Sequence, residues 1–309
     1  MASQRDVRNK ISSVKNIQKI TRAMEMVAAA RLRRAEQRIQ ALRPYAEAIG
    51  RMTRQAAAAA GAETTRLQLL REHDTTSNVG VLLITGDRGL AGGFNSQIIR
   101  SGVRLSGELS EQGLSGVWYA TGRRGVSSLT FRGYELSGSY TGFADRPAYA
   151  DARTIGDDLI QAYVDGKLDR VEIIYNAYVS PLTQKVTQEQ LLPLAPEAIT
   201  GEPPASASGG PHAGAGEPAD GAHRALVAYE PDPEAILKRL VPDFVEISIY
   251  RALVESAAGF FGAQMTAMRS ASENAGEIIT DYTLQMNRAR QAEITQEIME
   301  VVAGAEGLS

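Results

Sequence analysis

Apolar residues recur at helical spacing over the last part of the chain, from Asp243 to about Glu306. They run Phe244, Ile247, Tyr250, Val254, Ala257, Phe261, Met265, Met268, Ala271, Ala275, Ile278 and Tyr282, then Leu284, Met286, Ala289, Ile294, Ile298 and Val301. Steps of three and four dominate and no proline interrupts them, which predicts one long amphipathic helix. At 1.5 Å per residue it would extend roughly 95 Å. Residues 1–43 carry a second such stripe: Val7, Ile11, Val14, Ile17, Ile20, Met24 and Val27, then Leu32, Ala35, Ile39 and Leu42, with no Gly or Pro among them. Ser3 followed by Asp6 suits the start of that helix, with an acid in the first turn. Pro44 is expected to kink or end it, because proline donates no backbone hydrogen bond. Alanine-rich residues 46–61 are able to carry the helix on.

Between the two helices the period changes. Residues 79–85 form a short apolar run, as for a strand buried on both faces. The glycine-rich turn 86–93 follows, then a helix over about 95–112, a strand at 116–120 and a short helix around 125–130. Further elements are a weak strand near 134–140, a helix over 148–164 and strands at 170–178 and 183–192. This alternation predicts an α/β domain with a Rossmann-like, mostly parallel sheet. Residues 200–224 are rich in Gly, Pro, Ala and Ser. Such a composition buries too little to offset its ordering entropy and predicts a flexible surface insertion. Order resumes at about Ala228, with a short helix carrying Ile236, Leu237 and Leu240, and Pro242 marks the start of the long helix. The predicted organisation is therefore 1–61 as an N-terminal helix, 62–78 as a connector and 79–199 as the α/β domain. Residues 200–227 form an insertion and linker, and 228–309 the C-terminal helix.

Charge adds the pairing of the ends. Residues 1–43 hold eleven Lys or Arg against three Asp or Glu, and residues 243–309 hold ten acids against four bases. Opposite charge and matching apolar stripes predict an antiparallel coiled coil of the N- and C-terminal helices. Each exposed ion pair contributes at most about 1 kcal/mol, so the apolar seam dominates. The first helix is the shorter, and the far end of the second, around Ile294–Val302, needs cover from outside the chain. A basic, acid-poor N-terminus also fits a mitochondrial transit peptide. The pattern runs past forty residues without a cleavage-like break, however, and its stripe is needed as cover.

Candidate chemistry is sparse. The chain has no Cys, which excludes disulfides, thiolate metal sites and Cys nucleophiles. No run of 18 apolar residues suggests a membrane span. The turn Gly86-Asp-Arg-Gly-Leu-Ala-Gly-Gly93 matches neither the phosphate-binding loop, which ends in Gly-Lys-Ser/Thr, nor the dinucleotide fingerprint. It reads as a tight strand-to-helix turn, in which Asp87 and Arg88 could pair locally or touch a partner. His73, His212 and His223 stand alone and read as solvated loop residues, without metal-ligand spacing. The Lys and Arg of the first helix are spread around it without interleaved aromatics, which argues against nucleic acid. No catalytic residue, cofactor or metal is expected.

Three stretches carry a family resemblance. Residues 11–35, including Ala23-Met-Glu-Met26, closely resemble the N-terminal signature of the gamma subunit of F-type ATP synthase. Thr85-Gly-Asp-Arg-Gly-Leu-Ala-Gly-Gly-Phe-Asn95 resembles the family's strand-turn motif. Residues 265–277, Tyr282 and residues 287–298 resemble its C-terminal signature. The resemblance spans the chain apart from 200–224. It implies a central rotor, one copy per complex, whose coiled coil turns inside a ring of alpha and beta subunits. The α/β domain would then sit against the epsilon subunit and the membrane ring of c subunits. Nucleotide chemistry would belong to the alpha–beta hexamer. Met24 matches the family's residue near the acidic lever of beta, and the basic Arg22, Arg31, Arg33 and Arg34 fit an acidic partner. Gln291, Thr295 and Glu297 match polar contact positions. Ile298, Met299, Val301 and Val302 match the tip held in an apolar sleeve. Gln264 replaces an Arg common in the family and loses that charged contact. Ala91 replaces a common Cys, and with no Cys pair the redox control of the chloroplast form has no basis here. The implied location is peripheral, on the cytoplasmic face of a bacterial plasma membrane. Two other readings stand beside the rotor: a coiled-coil scaffold joining complexes through its ends, and an α/β nucleotide-binding enzyme with helical arms.

Overall fold

A run such as Val79–Ile84, buried at every position, forms a strand that has to be covered on both faces. In the computed structural model, which describes residues 4–60, 67–71, 73, 75–194 and 232–306, that strand is the middle of a five-stranded sheet. The elements are α1 (Gln4–Ala60), β1 (Asn78–Ile84), α2 (Phe94–Glu111), β2 (Ser115–Thr121) and α3 (Arg123–Phe131). Then come β3 (Leu136–Tyr140), α4 (Tyr149–Val164), β4 (Arg170–Ser180), β5 (Thr183–Leu192) and α5 (Pro233–Glu306). The order across the sheet is β3-β2-β1-β4-β5. The β3–β2, β2–β1 and β1–β4 pairs are parallel, and the β4–β5 hairpin adds one antiparallel edge. The mostly parallel sheet agrees with the alternation in the sequence. Residues 200–227, with the insertion expected there, lie outside the described residues, as do His212 and His223. Among the described residues no helix is long and apolar enough to cross a membrane.

The chain divides into two compact units, residues 31–263 and residues 1–30 with 264–309. In the larger unit Leu83 points to α2, where Gly102 lets the helix come close: a Cβ there would lie 2.7 Å from a Leu83 methyl. The opposite face holds the main core. Leu82, Ile84, Ile173 and Tyr175 of the sheet pack with Ile155, Leu159 and Tyr163 of α4. Leu237, Val241, Val245, Ile249 and Leu253 of α5 and Ile49 and Ala56 of α1 join the same cluster. From Val245 to Gly262 most positions of α5 are buried, including Glu246 and Ser256. A helix covered nearly all round is a core element.

The start of the long helix differs from the sequence reading, while the first helix runs past Pro44 as the alanine-rich stretch allowed. Pro242 lies inside α5, which begins at Pro233, and Pro44 lies inside α1, which continues to Ala60. An internal proline costs about 3 kcal/mol. The core contacts of Leu237, Leu240 and Val241 on one side of Pro242 and of Val245 on the other offset that cost. Beyond Pro44 the contacts of Ile49, Ala56 and Ala57 do the same for α1.

His73 is also placed differently. It stacks on Tyr163, ring centroids 4.6 Å apart, and its Nδ1 lies 2.9 Å from Asp169 Oδ1. The other Asp169 oxygen accepts the backbone N–H groups of Ser77 and Asn78, both at 2.8 Å. Burial pushes this carboxyl up, but the Asn78, His73 and Ser77 bonds outweigh it and hold it below the usual Asp value. The ionised form therefore contributes stability that is fully present above the unfolded value of about 3.9 and is lost as pH falls through the lower folded one. Asp169→Asn is expected to cost about 2 kcal/mol at neutral pH. It should also flatten the acid-side loss, as measured by urea unfolding at neutral and strongly acidic pH; parallel profiles in both proteins would contradict this.

In the smaller unit side-chain contacts join α1 to α5 along their length. Lys10 Nζ lies 5.7 Å from the centre of the Tyr282 ring, Gln18 Nε2 donates to Ser272 O at 3.2 Å, and Arg269 Nε meets Glu25 Oε1 at 2.9 Å. As α1 is followed forward its partners run backward, so the two segments are antiparallel. The buried and half-buried positions of α1 up to Ala30 include Val7, Ile11, Val14, Gln18, Thr21, Glu25 and Ala28, an alternation of four and three, with Met24 and Ala29 half-buried beside it. Those of α5 include Met268, Ser272, Ala275, Ile279, Tyr282, Met286 and Ala289. The sequence stripe therefore leaves the seam after Val14: Ile17, Ile20 and Val27 are 53%, 58% and 53% exposed. A 3.5-residue period carries the contact line from Val14 to Gln18, and a step to Ile17 follows residue chemistry instead. On α5, Ile278 and Leu284 are exposed for the same reason.

Candidate functional site

The glycine-rich turn after β1 is tied down by its own side chains. Asn95 Oδ1 accepts the Gly86 N–H at 2.8 Å, and Asn95 Nδ2 donates to Arg88 O at 3.0 Å. The Thr85 hydroxyl donates to Thr121 O at 2.7 Å and accepts the Gly125 N–H at 2.8 Å. Asp87 accepts N–H groups from Arg123 at the start of α3 and from Gly142 and Ala144 after β3, all within 3.1 Å. Helix starts and glycine-rich turns attract phosphate through free backbone N–H groups. Here Asp87 already supplies the anion. The hollow behind the turn, between Gly86, Phe94 and Phe260, has a volume of about 10 Å³, too little for a nucleotide. Gly122, where β2 meets α3, sits at φ 82° and ψ 139°. Arg88 turns to Asp145 at 3.7 Å rather than to Asp87.

The arginines expected to meet an acidic partner fall into two groups. Arg31 is engaged within the larger unit: its Nη1 meets Asp145 Oδ2 at 3.2 Å and its guanidinium lies 5.7 Å from the Phe261 ring centre. Arg33 and Arg34 are exposed. In the smaller unit Arg22 is exposed and Met24 half-buried. Ile17, Ile20, Met26 and Val27 add exposed apolar surface on the same helix. The sequence holds the signal for that surface, as apolar residues one step off the heptad.

The end of α5 is the most open part. Every residue from Gln291 to Ala303 is exposed. Gln291, Thr295, Ile298 and Val302 share one face by helical spacing, with Glu297 and Val301 beside it. Ile298 is 58% and Val301 72% exposed, and Met299 and Val302 are open as well. Thr295 Oγ1 returns to Gln291 O at 2.8 Å, so its hydroxyl proton is used within the helix. Gln264 is half-buried.

A charged group that sequence reasoning missed seats α5 on the hairpin. Arg251 Nη2 meets Glu189 Oε2 at 2.8 Å, and the Tyr175 hydroxyl donates to the other Glu189 oxygen at 3.0 Å. Burial raises the Glu255 carboxyl above its usual value, against the pull of Arg251. Spacing could not reveal the pairing of Arg251 with Glu189, since they lie 62 residues apart.

A family model described as ATP synthase matches residues 3–308. The "ATP synthase gamma chain" of Rubrobacter xylanophilus is 43% identical over 309 residues, covering all of this chain and 99% of that one. That of Moorella thermoacetica is 41% identical with both chains fully covered. Among solved structures, a chain of the Euglena gracilis mitochondrial ATP synthase (OSCP/F1/c-ring) is similar at a TM-score of 0.63 and 16% identity, over 99% of this chain and 94% of that one. A chain of the Tetrahymena thermophila mitochondrial ATP synthase central stalk and c-ring is similar at 0.56 and 24%, over 82% and 99%. At those identities the structural likeness speaks to the fold.

Proposed function

The chain belongs to the ATP synthase gamma-chain family, and we propose that it is the central stalk of an F-type ATP synthase, a rotor subunit without catalytic residues of its own. The observation that carries this reading is the end of α5. It is a stretch of helix with exposed Ile294, Ile298, Met299, Val301 and Val302, on a helix whose preceding turns are already paired. Burying such a side chain contributes about 1.5–3 kcal/mol, so a ring of apolar side chains around the tip would hold it. An apolar sleeve grips without directional bonds and lets the tip turn.

In this reading residues 4–30 and 264–303 form an antiparallel coiled coil inside the alpha–beta hexamer. Arg22, Met24, Arg33 and Arg34 face acidic and apolar surfaces of the hexamer. Gln264, Gln291, Thr295 and Glu297 make polar contacts, and Ile298, Val301 and Val302 fill the sleeve. Arg31 is held by Asp145 and contributes less. Gln264 offers hydrogen bonds where an Arg would add a charge. The α/β unit engages the epsilon subunit and the membrane c-ring, on the cytoplasmic face of a bacterial membrane. Because the two helices differ in residue and in length, the stalk presents different surfaces to three chemically identical sites. Turning it gives each site a different conformation in succession, and ion-driven rotation of the c-ring supplies the work.

Reconstitution tests the reading. Purified alpha and beta subunits, mixed with this chain, are expected to yield a stable complex with one copy per three alpha–beta pairs and ATP hydrolysis that depends on it. Hexamer assembly and hydrolysis indifferent to the chain would overturn it.

A further inference from the structure

On the contact line of the smaller unit a polar side chain reaches the opposite backbone. Gln18 occupies a seam position between Val14 and Thr21, and its Nε2 donates to Ser272 O at 3.2 Å. It gets there because residue 276, one turn further along α5, is glycine. A Cβ at that position would lie 3.2 Å from Gln18 Nε2. We propose that Gln18, seated in the gap left by Gly276, fixes the axial register of the two helices, acting as a positioning residue. The proposal rests on the coiled-coil reading above.

The reasoning begins from what apolar seams leave undecided. Val7, Ile11 and Val14 present similar aliphatic side chains at heptad spacing, and a slip of one heptad, about 10 Å, returns similar knobs to similar holes. A polar seam residue breaks that equivalence because it needs its own partner. Slipped one heptad either way, Gln18 would meet the carbonyl of Ile279 or of Met265. The position of Gly276 would be taken by Thr283 or Arg269, whose side chains fill the gap. The other two cross-contacts would go at the same time. Glu25 would face Gly276 or Gly262 in place of Arg269, and Lys10 would face Ala289 or Ala275 in place of Tyr282. Gln18 differs from those two in its partner: from a half-buried seam position it bonds the backbone of α5, in a gap left by the missing side chain of Gly276.

The absence of Cys from the chain makes the test direct. Three full-length double-cysteine proteins report the register by oxidative cross-linking: Lys10→Cys with Tyr282→Cys for the observed pairing, and Lys10→Cys with Ala289→Cys or with Ala275→Cys for the two slips. With Gln18 present, only the first pair is expected to cross-link. Gln18→Leu should keep the helices folded and paired while raising cross-linking of a slipped pair by about tenfold, the factor that follows from removing one part-buried hydrogen-bond requirement. Gly276→Ala, which crowds the amide, should raise it in the same direction. If Gln18→Leu cross-links only the observed pair, at the parent's yield, Gln18 does not set the register. If the parent fails to cross-link residue 10 to residue 282, the paired helices themselves are wrong and the assignment falls with them.

Discussion

Replacing Ile298 and Val302 together with Asp is expected to release the chain from a reconstituted alpha–beta hexamer while leaving the isolated chain folded. Both residues are exposed in the chain alone, at 58% and 48%, so the substitutions remove no internal contact. In the proposed sleeve each loses about 1.5–3 kcal/mol of apolar burial, and each adds a carboxylate that has to be desolvated. The combined loss of about 4 kcal/mol or more corresponds to roughly a thousandfold in affinity. Co-elution of labelled chain with the hexamer, and the chain's own thermal unfolding, give the two readouts. Retention equal to the parent's would remove the sleeve from the argument. Gln296→Ala makes a suitable comparison, because its side-chain amide is bonded to Glu300 within the same helix, and it should leave retention nearly unchanged.

Gly122→Ala is expected to be the most damaging single substitution in the α/β unit. At φ 82° and ψ 139° the backbone occupies a region that essentially only glycine adopts, at a cost of about 1–3 kcal/mol for other residues. A Cβ would also stand 2.1 Å from the Thr85 carbonyl oxygen and 2.9 Å from the Gly86 carbonyl carbon. Both are backbone atoms that cannot swing aside like a side chain. Strain and forced displacement together come to roughly 3–5 kcal/mol. The same displacement would pull Thr85 from Thr121 and disturb the approach of α3 to Asp87. Chemical denaturation followed by tyrosine and tryptophan fluorescence would measure the loss, with Gly113→Ala as a comparison: also at positive φ, with nothing within 4 Å of an added Cβ. A loss no larger at Gly122 than at Gly113 would show that the close carbonyl does not matter.

The strands were readable because their pattern is a local property. Val79–Ile84 and Val171–Tyr175 are nearly continuous apolar runs, and burial on both faces requires such runs. The helices between them were readable for a similar reason. The stripe on α1 was readable at Leu32, Ala35, Ile39 and Leu42, all buried or half-buried, and at Met24, but otherwise the contact line in the smaller unit followed it only as far as Val14. Beyond it the seam residues are Gln18, Thr21 and Ala28, while Ile17, Ile20 and Val27 turn outward. Residue type favoured the outward set, and only the partner helix decides which positions are covered. The first half of α5 carried an amphipathic stripe by sequence, yet its polar Glu246 and Ser256 are also buried. Their cover comes from elements far away in the chain. His73 looked like a solvated loop residue because its partner, Asp169, lies 96 positions on. At the candidate contact surface, sequence located the exposed tip and the basic residues. It could not reveal that Arg31 already holds Asp145.

The glycines around α5 have a mechanical consequence. Gly156 of α4 sits 3.1 Å, as measured from a notional Cβ, from the Glu246 side chain. The same measure puts Gly259 at 3.2 Å from Phe94 and Gly262 at 2.9 Å from the Pro181 carbonyl oxygen. Turning α5 about its axis by one residue would drive larger side chains into each of these places. The segment 233–263 is thus keyed into its bed like a spline in a hub. A twisting load on it would appear first as shear in the sheet's side-chain contacts, well before the helix could spin in its seat.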